Sequence, residues 1–218
     1  MNRRSLPVAA SLATAAALLL TACSGGGDNK SKHSDKIVGA QTGASKSTSP
    51  STSASTAPGR PKVTLPADLK MVFETEKTGD PAKDAVLADG AERMRAVNGA
   101  IAGGDPKYAA LNFYNKGKAL EAASTWVEKF KKGGYSLMGS INYYDRRATV
   151  NNGNSASLIF CADESKAYSK VVKSGKAKMT APSKDDFILY STELEKNSVG
   201  VWQTTRIVST AGAAQCVK

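Results

Sequence analysis

Residues 133–162 read GGYSLMGSINYYDRRATVNNGNSASLIFCA, and this stretch decides the fold. Its two leading glycines close a helix. Leu120, Ala123, Val127 and Phe130 make one apolar stripe over residues 116–132, with Trp126 beside it, and Gly133-Gly134 supplies the backbone freedom at which helices stop. Past Gly134 the texture changes. Tyr135–Val150 carries Leu137, Ile141, Tyr143, Tyr144 and Val150 and reads as a long strand. Asn151-Asn152-Gly153-Asn154 is turn chemistry between two apolar runs, so the chain folds back into a second strand, Ser155–Ala162, through Leu158, Ile159 and Phe160.

Upstream, helices continue. Asp80-Pro81 reads as an N-cap followed by proline at the first helical position. Leu87, Ala91, Met94, Val97 and Ile101 then recur at steps of three and four, and Gly103-Gly104 ends the run. Asp105-Pro106 opens a short second helix through Tyr108, Leu111 and Tyr114. Downstream, Asp163 to Lys178 is polar and reads as a loop or short helix. Phe187–Leu194 is a third strand. After a turn at Asn197 and Ser198, Val199–Ser209 is a fourth, with Val201, Trp202, Ile207 and Val208. Helices segregated before strands predict an α+β domain over residues 63–218, its N-terminal helices packed on a curved antiparallel sheet of about four strands. Trp126 and Trp202 are expected in the core where helix meets sheet.

The N-terminus reads as an address. Arg3 and Arg4 precede an apolar stretch, Val8–Leu20, which has the size of a signal-peptide core and is too short to span a bilayer. Leu20-Thr21-Ala22-Cys23 then resembles the bacterial lipobox. The resemblance implies a lipoprotein signal peptide over residues 1–22, a diacylglycerol thioether on Cys23, and a protein held on the outer face of the cytoplasmic membrane. Two acyl chains, at about 0.8 kcal/mol per buried CH₂, hold far better than one. Residues 24–62 form a tether. Ser and Thr fill 10 of the 19 positions from Gln41 to Gly59, so nothing there can build a core face. As a flexible coil the tether spans on the order of 35 Å.

The formal charge is +11. Two of those charges sit on Arg3 and Arg4, four on residues 24–62 and five on residues 63–218. A basic extracytoplasmic surface suits anionic lipid or an anionic wall polymer, and secretion argues against nucleic acid as the partner. Lys166, Lys170, Lys173, Lys176 and Lys178 form the one local cluster and the candidate basic patch. The single histidine, His33, lies in the tether, which leaves no multi-histidine metal site and no Ser-His-Asp triad in the domain. No phosphate-loop pattern occurs, and no cofactor is called for. Cys161 and Cys216 are expected to form a disulfide in an oxidising compartment; a reactive thiol would need a base and a low-pKa setting, and the domain has no histidine to serve.

Several short stretches carry a further resemblance: Pro66-Ala67-Asp68-Leu69, Thr78-Gly79-Asp80-Pro81, Gly139 with Tyr143-Tyr144, Phe160-Cys161-Ala162-Asp163 with Ser165, Gly200-Val201-Trp202-Gln203, and the late Cys216. On these residues the chain resembles a family of secreted actinobacterial lipoproteins of unknown function, and the helix–sheet order is similar to the cone-shaped NTF2-like fold. The resemblance implies a pocket between sheet and helices, in which enzymes of this fold use Asp, Tyr or His. Tyr143, Tyr144, Asp145, Asp163 and Tyr190 are the candidate pocket residues, although Tyr143 and Tyr144 are adjacent in a strand and must face opposite ways. Asp163 also has the position to cap a turn with Ser165. A fold of this kind hosts enzymes and binding modules alike. The leading expectation is a non-enzymatic module binding a small apolar ligand or an anionic wall polymer. The alternatives are an isomerase- or dehydratase-type enzyme with an Asp/Tyr site, and a scaffold that forms a homodimer through its sheet.

Overall fold

A computed structural model describes residues 59–75 and 77–218. The lipobox, Cys23, His33 and nearly all of the tether lie outside the described residues. The chain runs β1 (Leu69–Phe73), α1 (Pro81–Gly103), α2 (Ala109–Tyr114), α3 (Gly117–Lys132), β2 (Tyr135–Asn152), β3 (Ser155–Val171), β4 (Ala177–Lys178), β5 (Phe187–Lys196) and β6 (Trp202–Ala211). Helices pack on one face of a curved sheet in the order β1-β2-β3-β5-β6, with β4 pairing the far end of β3. This is the α+β arrangement anticipated from the helix-before-strand pattern.

The helix limits follow local chemistry. The Asp80 carboxylate accepts from the backbone N–H of Ala82 and of Lys83, at 2.8 and 3.3 Å, and Gly104 ends α1 in the left-handed conformation. The α1 helix is buried on almost every side. Val86, Leu87 and Met94 face a core shared with Met71, Ile141, Tyr143, Leu158, Phe160, Leu194 and Trp202. Val97 and Ile101 turn to Leu111, Ala123 and Val127 of the other helices.

Four features differ from the sequence reading. Asp105-Pro106 does not open α2 but makes a turn, in which the Tyr108 N–H donates to the Asp105 carbonyl at 3.2 Å and the Lys107 N–H to its carboxylate at 2.9 Å, so α2 starts only at Ala109. The sheet gains β1, a five-residue edge strand parallel to β2, with Leu69 and Met71 facing inward. Its length gives too little periodicity to separate it from coil. The polar run after Asp163 is neither loop nor helix, since β3 continues to Val171 and pairs with β2 throughout. Finally, residues read as the end of the tether lie on the domain. Arg60 forms an ion pair with the buried Asp89 of α1, and the Lys62 carbonyl accepts from the Tyr108 hydroxyl at 3.3 Å.

Two bulges set which residues face the helices. Between Tyr144 and Arg147, β2 carries one residue more than β3, and Asp145 takes φ 48° there. Inward positions therefore change from Ile141 and Tyr143 to Ala148 and Val150. Between the pairs Ser140–Lys166 and Asn142–Asp163 the extra residue is on β3. On the opposite face of the sheet, Cys161 and Cys216 form a disulfide, covered by Tyr144, Phe187 and Leu189.

Candidate functional site

A pocket of about 150 Å³ opens between α1, α3 and the sheet. Met94 and Asn98 of α1, Ile141 of β2, Glu164 of β3 and Tyr190 of β5 line it, together with Trp126 and Phe130 of α3. Met94, Asn98, Ile141 and Tyr190 are buried, and these make the floor. Trp126 is 37% exposed and, with the half-buried Phe130, Tyr168 and Ser169, marks the mouth. Trp126 is thus not the core residue expected of it. Trp202 is, at 1% exposure.

An aromatic column holds the floor in place. Phe73 stacks on Tyr143 with ring centres 4.5 Å apart, Tyr143 meets the edge of Phe160, and Phe160 stacks on Tyr190 at 5.0 Å. The Tyr190 hydroxyl donates to Glu164 Oε1 at 3.3 Å. Asn98 Nδ2 donates to the Met94 carbonyl at 2.9 Å and lies 3.5 Å from the Tyr143 hydroxyl. Behind them Arg93 is buried, its Nε donating to Asn115 Oδ1 at 2.8 Å.

Electrostatics follow from burial. Desolvation raises the Tyr143 and Tyr190 phenols well above their ordinary value, and the Glu164 carboxylate adds to this, so both stay neutral. Desolvation pulls Arg93 down to about 10, against the pull of the Tyr190 and Tyr143 phenols, and it stays a cation at neutral pH. Glu164 is pushed up to about 7, first by burial; the Tyr190 hydrogen bond opposes this, and Asp186 and Asp163 reinforce it. A carboxyl poised near neutrality beside a phenol can accept or donate a proton, or hydrogen-bond a ligand in either form.

Of the five candidate pocket residues, Tyr190 lines the pocket, and Tyr143 is buried behind Phe160, which separates the two rings. The other three lie elsewhere. Tyr144 points to the far face, where its hydroxyl donates to the Cys216 carbonyl. Asp145 sits exposed on the β2 bulge. Asp163 accepts from the Ser165 N–H at 3.0 Å and from its hydroxyl at 2.6 Å, closing a local turn at the β3 bulge. Glu164 was not among the candidates, yet a signal for it exists. Ala156, Leu158, Phe160 and Ala162 alternate inward, and the next even position is Glu164. The polarity of the segment reads as a loop or short helix and masks that continuation. Among the described residues no group of three or more His, Cys, Asp or Glu is placed to hold a metal. No described helix is long and apolar enough to cross a membrane.

No protein-family model matches the sequence, and none of the curated proteins does. Solved structures with a similar fold exist. A ketosteroid isomerase-like protein from Erwinia carotovora atroseptica is 12% identical, over 61% of this chain and 97% of that one, with a TM-score of 0.42. The intermembrane-space region of the chloroplast protein ARC6 is 12% identical, over 59% of this chain and 96% of that one, with a TM-score of 0.39. Likeness at this level describes helices on a curved sheet and assigns no role to any residue.

The Glu164 proton has a measurable consequence. Between about pH 4.5 and about 7 the folded chain holds a proton that the unfolded chain has released. The raised carboxyl therefore stabilises the fold on the acid side, and that stability falls as pH rises through the window. The fall is expected to be on the order of 2 kcal/mol, less than full burial would give, because the pocket is open to water. Glu164→Gln should flatten this part of the profile in urea titrations run at several pH values. A variant that keeps the wild-type slope would assign the proton to another group.

Proposed function

We propose that this protein is a lipid-anchored, extracytoplasmic binding protein whose NTF2-like domain takes one small, mostly apolar ligand into the helix–sheet pocket. The observation that carries this reading is the pocket itself, with Met94, Ile141, Trp126 and Phe130 as apolar walls, Glu164 with Tyr190 as a polar corner and Asn98 in the floor. Its volume is about that of a cavity that admits benzene. The ligand, or the part of it that enters, is therefore a ring or short branch carrying one oxygen function. Anchoring rests on Arg3, Arg4, the apolar stretch 8–20 and Leu20-Thr21-Ala22-Cys23. Cys23→Ala should move the protein out of the membrane fraction, and retention there would reject the anchor.

The pocket is tested by a thermal-shift screen with phenols, small ketones and alcohols. A ligand at about 100 times its dissociation constant adds roughly 2.7 kcal/mol, a shift of several degrees in a domain of this size. Trp126→Ala should weaken binding about tenfold through lost apolar contact, and Ala167→Leu, at a half-buried lining residue of β3, should block it by filling the pocket. Silence across the panel, or shifts that survive Ala167→Leu, would sink the reading. The Glu164–Tyr190 pair favours one second reading, an isomerase-type reaction. In it Glu164 moves a proton at a carbon next to a carbonyl while Tyr190 donates to the developing oxyanion. Deuterium exchange into a bound ketone, lost in Glu164→Gln, would distinguish it from simple binding.

A further inference from the structure

The β3–β4 hairpin projects two large apolar side chains into water. Val172 is 63% exposed and Met179 67%. Around them stand Lys173, Lys176 and Lys178, all exposed. Gly175, at φ 69°, makes the turn, and the Val171 N–H donates to the Lys176 carbonyl at 2.9 Å. The Val172 N–H donates to the Gly134 carbonyl at 2.9 Å, which ties the hairpin to the end of α3. The last turn of α3 brings Lys129, Lys131 and Lys132. Two lysine groups far apart in sequence thus meet at one end of the domain. Lys132 pairs with Glu128 and Lys170 with Asp68, while among the described residues no carboxylate lies within ion-pair distance of Lys173, Lys176 or Lys178.

A soluble polyanion would use the lysines and leave Val172 and Met179 in water. A bilayer surface uses both, since apolar tips enter the headgroup layer while the ammonium groups meet lipid phosphates. We propose that this end of the domain docks on an anionic membrane, with Val172 and Met179 inserted and Lys173, Lys176, Lys178, Lys129 and Lys131 on the headgroups. The pocket mouth lies at the same end. Ser169 of the mouth pairs with Lys178 across the hairpin, and Lys129 shares an α3 turn with Trp126 and Phe130. Docking turns that mouth to the bilayer, so the ligand class becomes a membrane-dissolved amphiphile. This last step rests on the pocket reading; the docking does not.

The test uses the mature chain, residues 23–218 with Cys23→Ser so that no acyl group is attached, sedimented with phosphatidylglycerol or phosphatidylcholine vesicles. Partition onto phosphatidylglycerol is expected, weakening with salt, with little onto phosphatidylcholine. At about fivefold per lysine, Lys173→Ala/Lys176→Ala/Lys178→Ala should cost about a hundredfold. Val172→Ser/Met179→Ser should cost about tenfold. All five side chains are exposed, so the variants should keep the wild-type melting temperature and the thermal shift given by any water-soluble pocket ligand; that separates failure of docking from failure of the pocket. Equal partition of wild type and lysine variant would overturn the proposal. So would loss with the lysines but none with Val172 and Met179, or retention by poly(glycerol phosphate) without binding to vesicles, either of which assigns the patch to a polymer.

Discussion

Replacing Cys161 and Cys216 together with alanine should destabilise the domain by roughly 4 kcal/mol, a loss of about 10 °C in melting temperature. The bridge joins residues 55 apart, and in the chain-entropy account a loop of that length takes most of its effect from the unfolded ensemble. The native side adds to this. Cys161 is 3% exposed and Cys216 fully buried, beside Tyr144, Phe187, Leu189 and Ala213. The bridge also fixes the segment after β6 to the sheet. After β6 comes the short turn Ala214–Cys216, the Cys216 carbonyl accepting from the Tyr144 hydroxyl, with Lys218 Nζ 3.7 Å from the Tyr144 ring centre. The double variant should therefore also expose the far sheet face around Tyr144, read as faster hydrogen exchange there. Reduction of the wild type in denaturant should reproduce the same shift in midpoint. A change below about 1 kcal/mol would mean that the unfolded chain is already restrained without the bridge.

Gly139→Ala is the second large effect, expected at about 3 kcal/mol or more. Gly139 takes φ 99°, a conformation that side-chain-bearing residues rarely adopt. A Cβ there would also overlap the Lys166 backbone carbonyl, with its carbon 3.1 Å and the Ala167 Cα 3.2 Å away. These are backbone atoms in a paired strand, so no side-chain rotation relieves the contact. Gly139 pairs with Ala167 on one side and Leu69 on the other, and its N–H donates to the Asp68 carbonyl at 2.7 Å. It therefore sits beside the β3 bulge formed by Glu164 and Ser165. Relief by widening that bulge should disturb the Glu164–Tyr190 contact, so the variant should lose pocket ligands as well as stability. An alanine variant that melts within about 2 °C of the wild type would show that β2 and β3 can separate cheaply here. Gly153 makes a useful control, because nothing lies within 4 Å of a Cβ built there.

Much of the fold was legible because its signals act over a few residues. Asp80-Pro81 starts α1, and Gly104 and Gly133-Gly134 end helices, by filling or breaking hydrogen bonds within one turn. Alternation in residues 156–162 and 187–194 marks strands that are half buried. Tyr143 and Tyr144 could be assigned to opposite faces from strand geometry alone. The candidate site was less legible. Asp145 and Asp163 look like pocket acids beside aromatic residues, but one sits on a bulge and the other satisfies its own turn.

The sequence alone thus determined the α+β order, both ends of α1, the end of α3, the main strands and the pairing of the two domain cysteines. Each depends on local caps, periodicity or simple counting. Tertiary structure decided the rest. It joined Glu164 to Tyr190, 26 positions later, and moved Trp126 from core to mouth. It also brought the α3 lysines beside those of the β3–β4 hairpin. The physical reason is that bulges shift the inward parity of a strand and pairing joins distant segments, so facing depends on the partner strand rather than on the neighbouring residue.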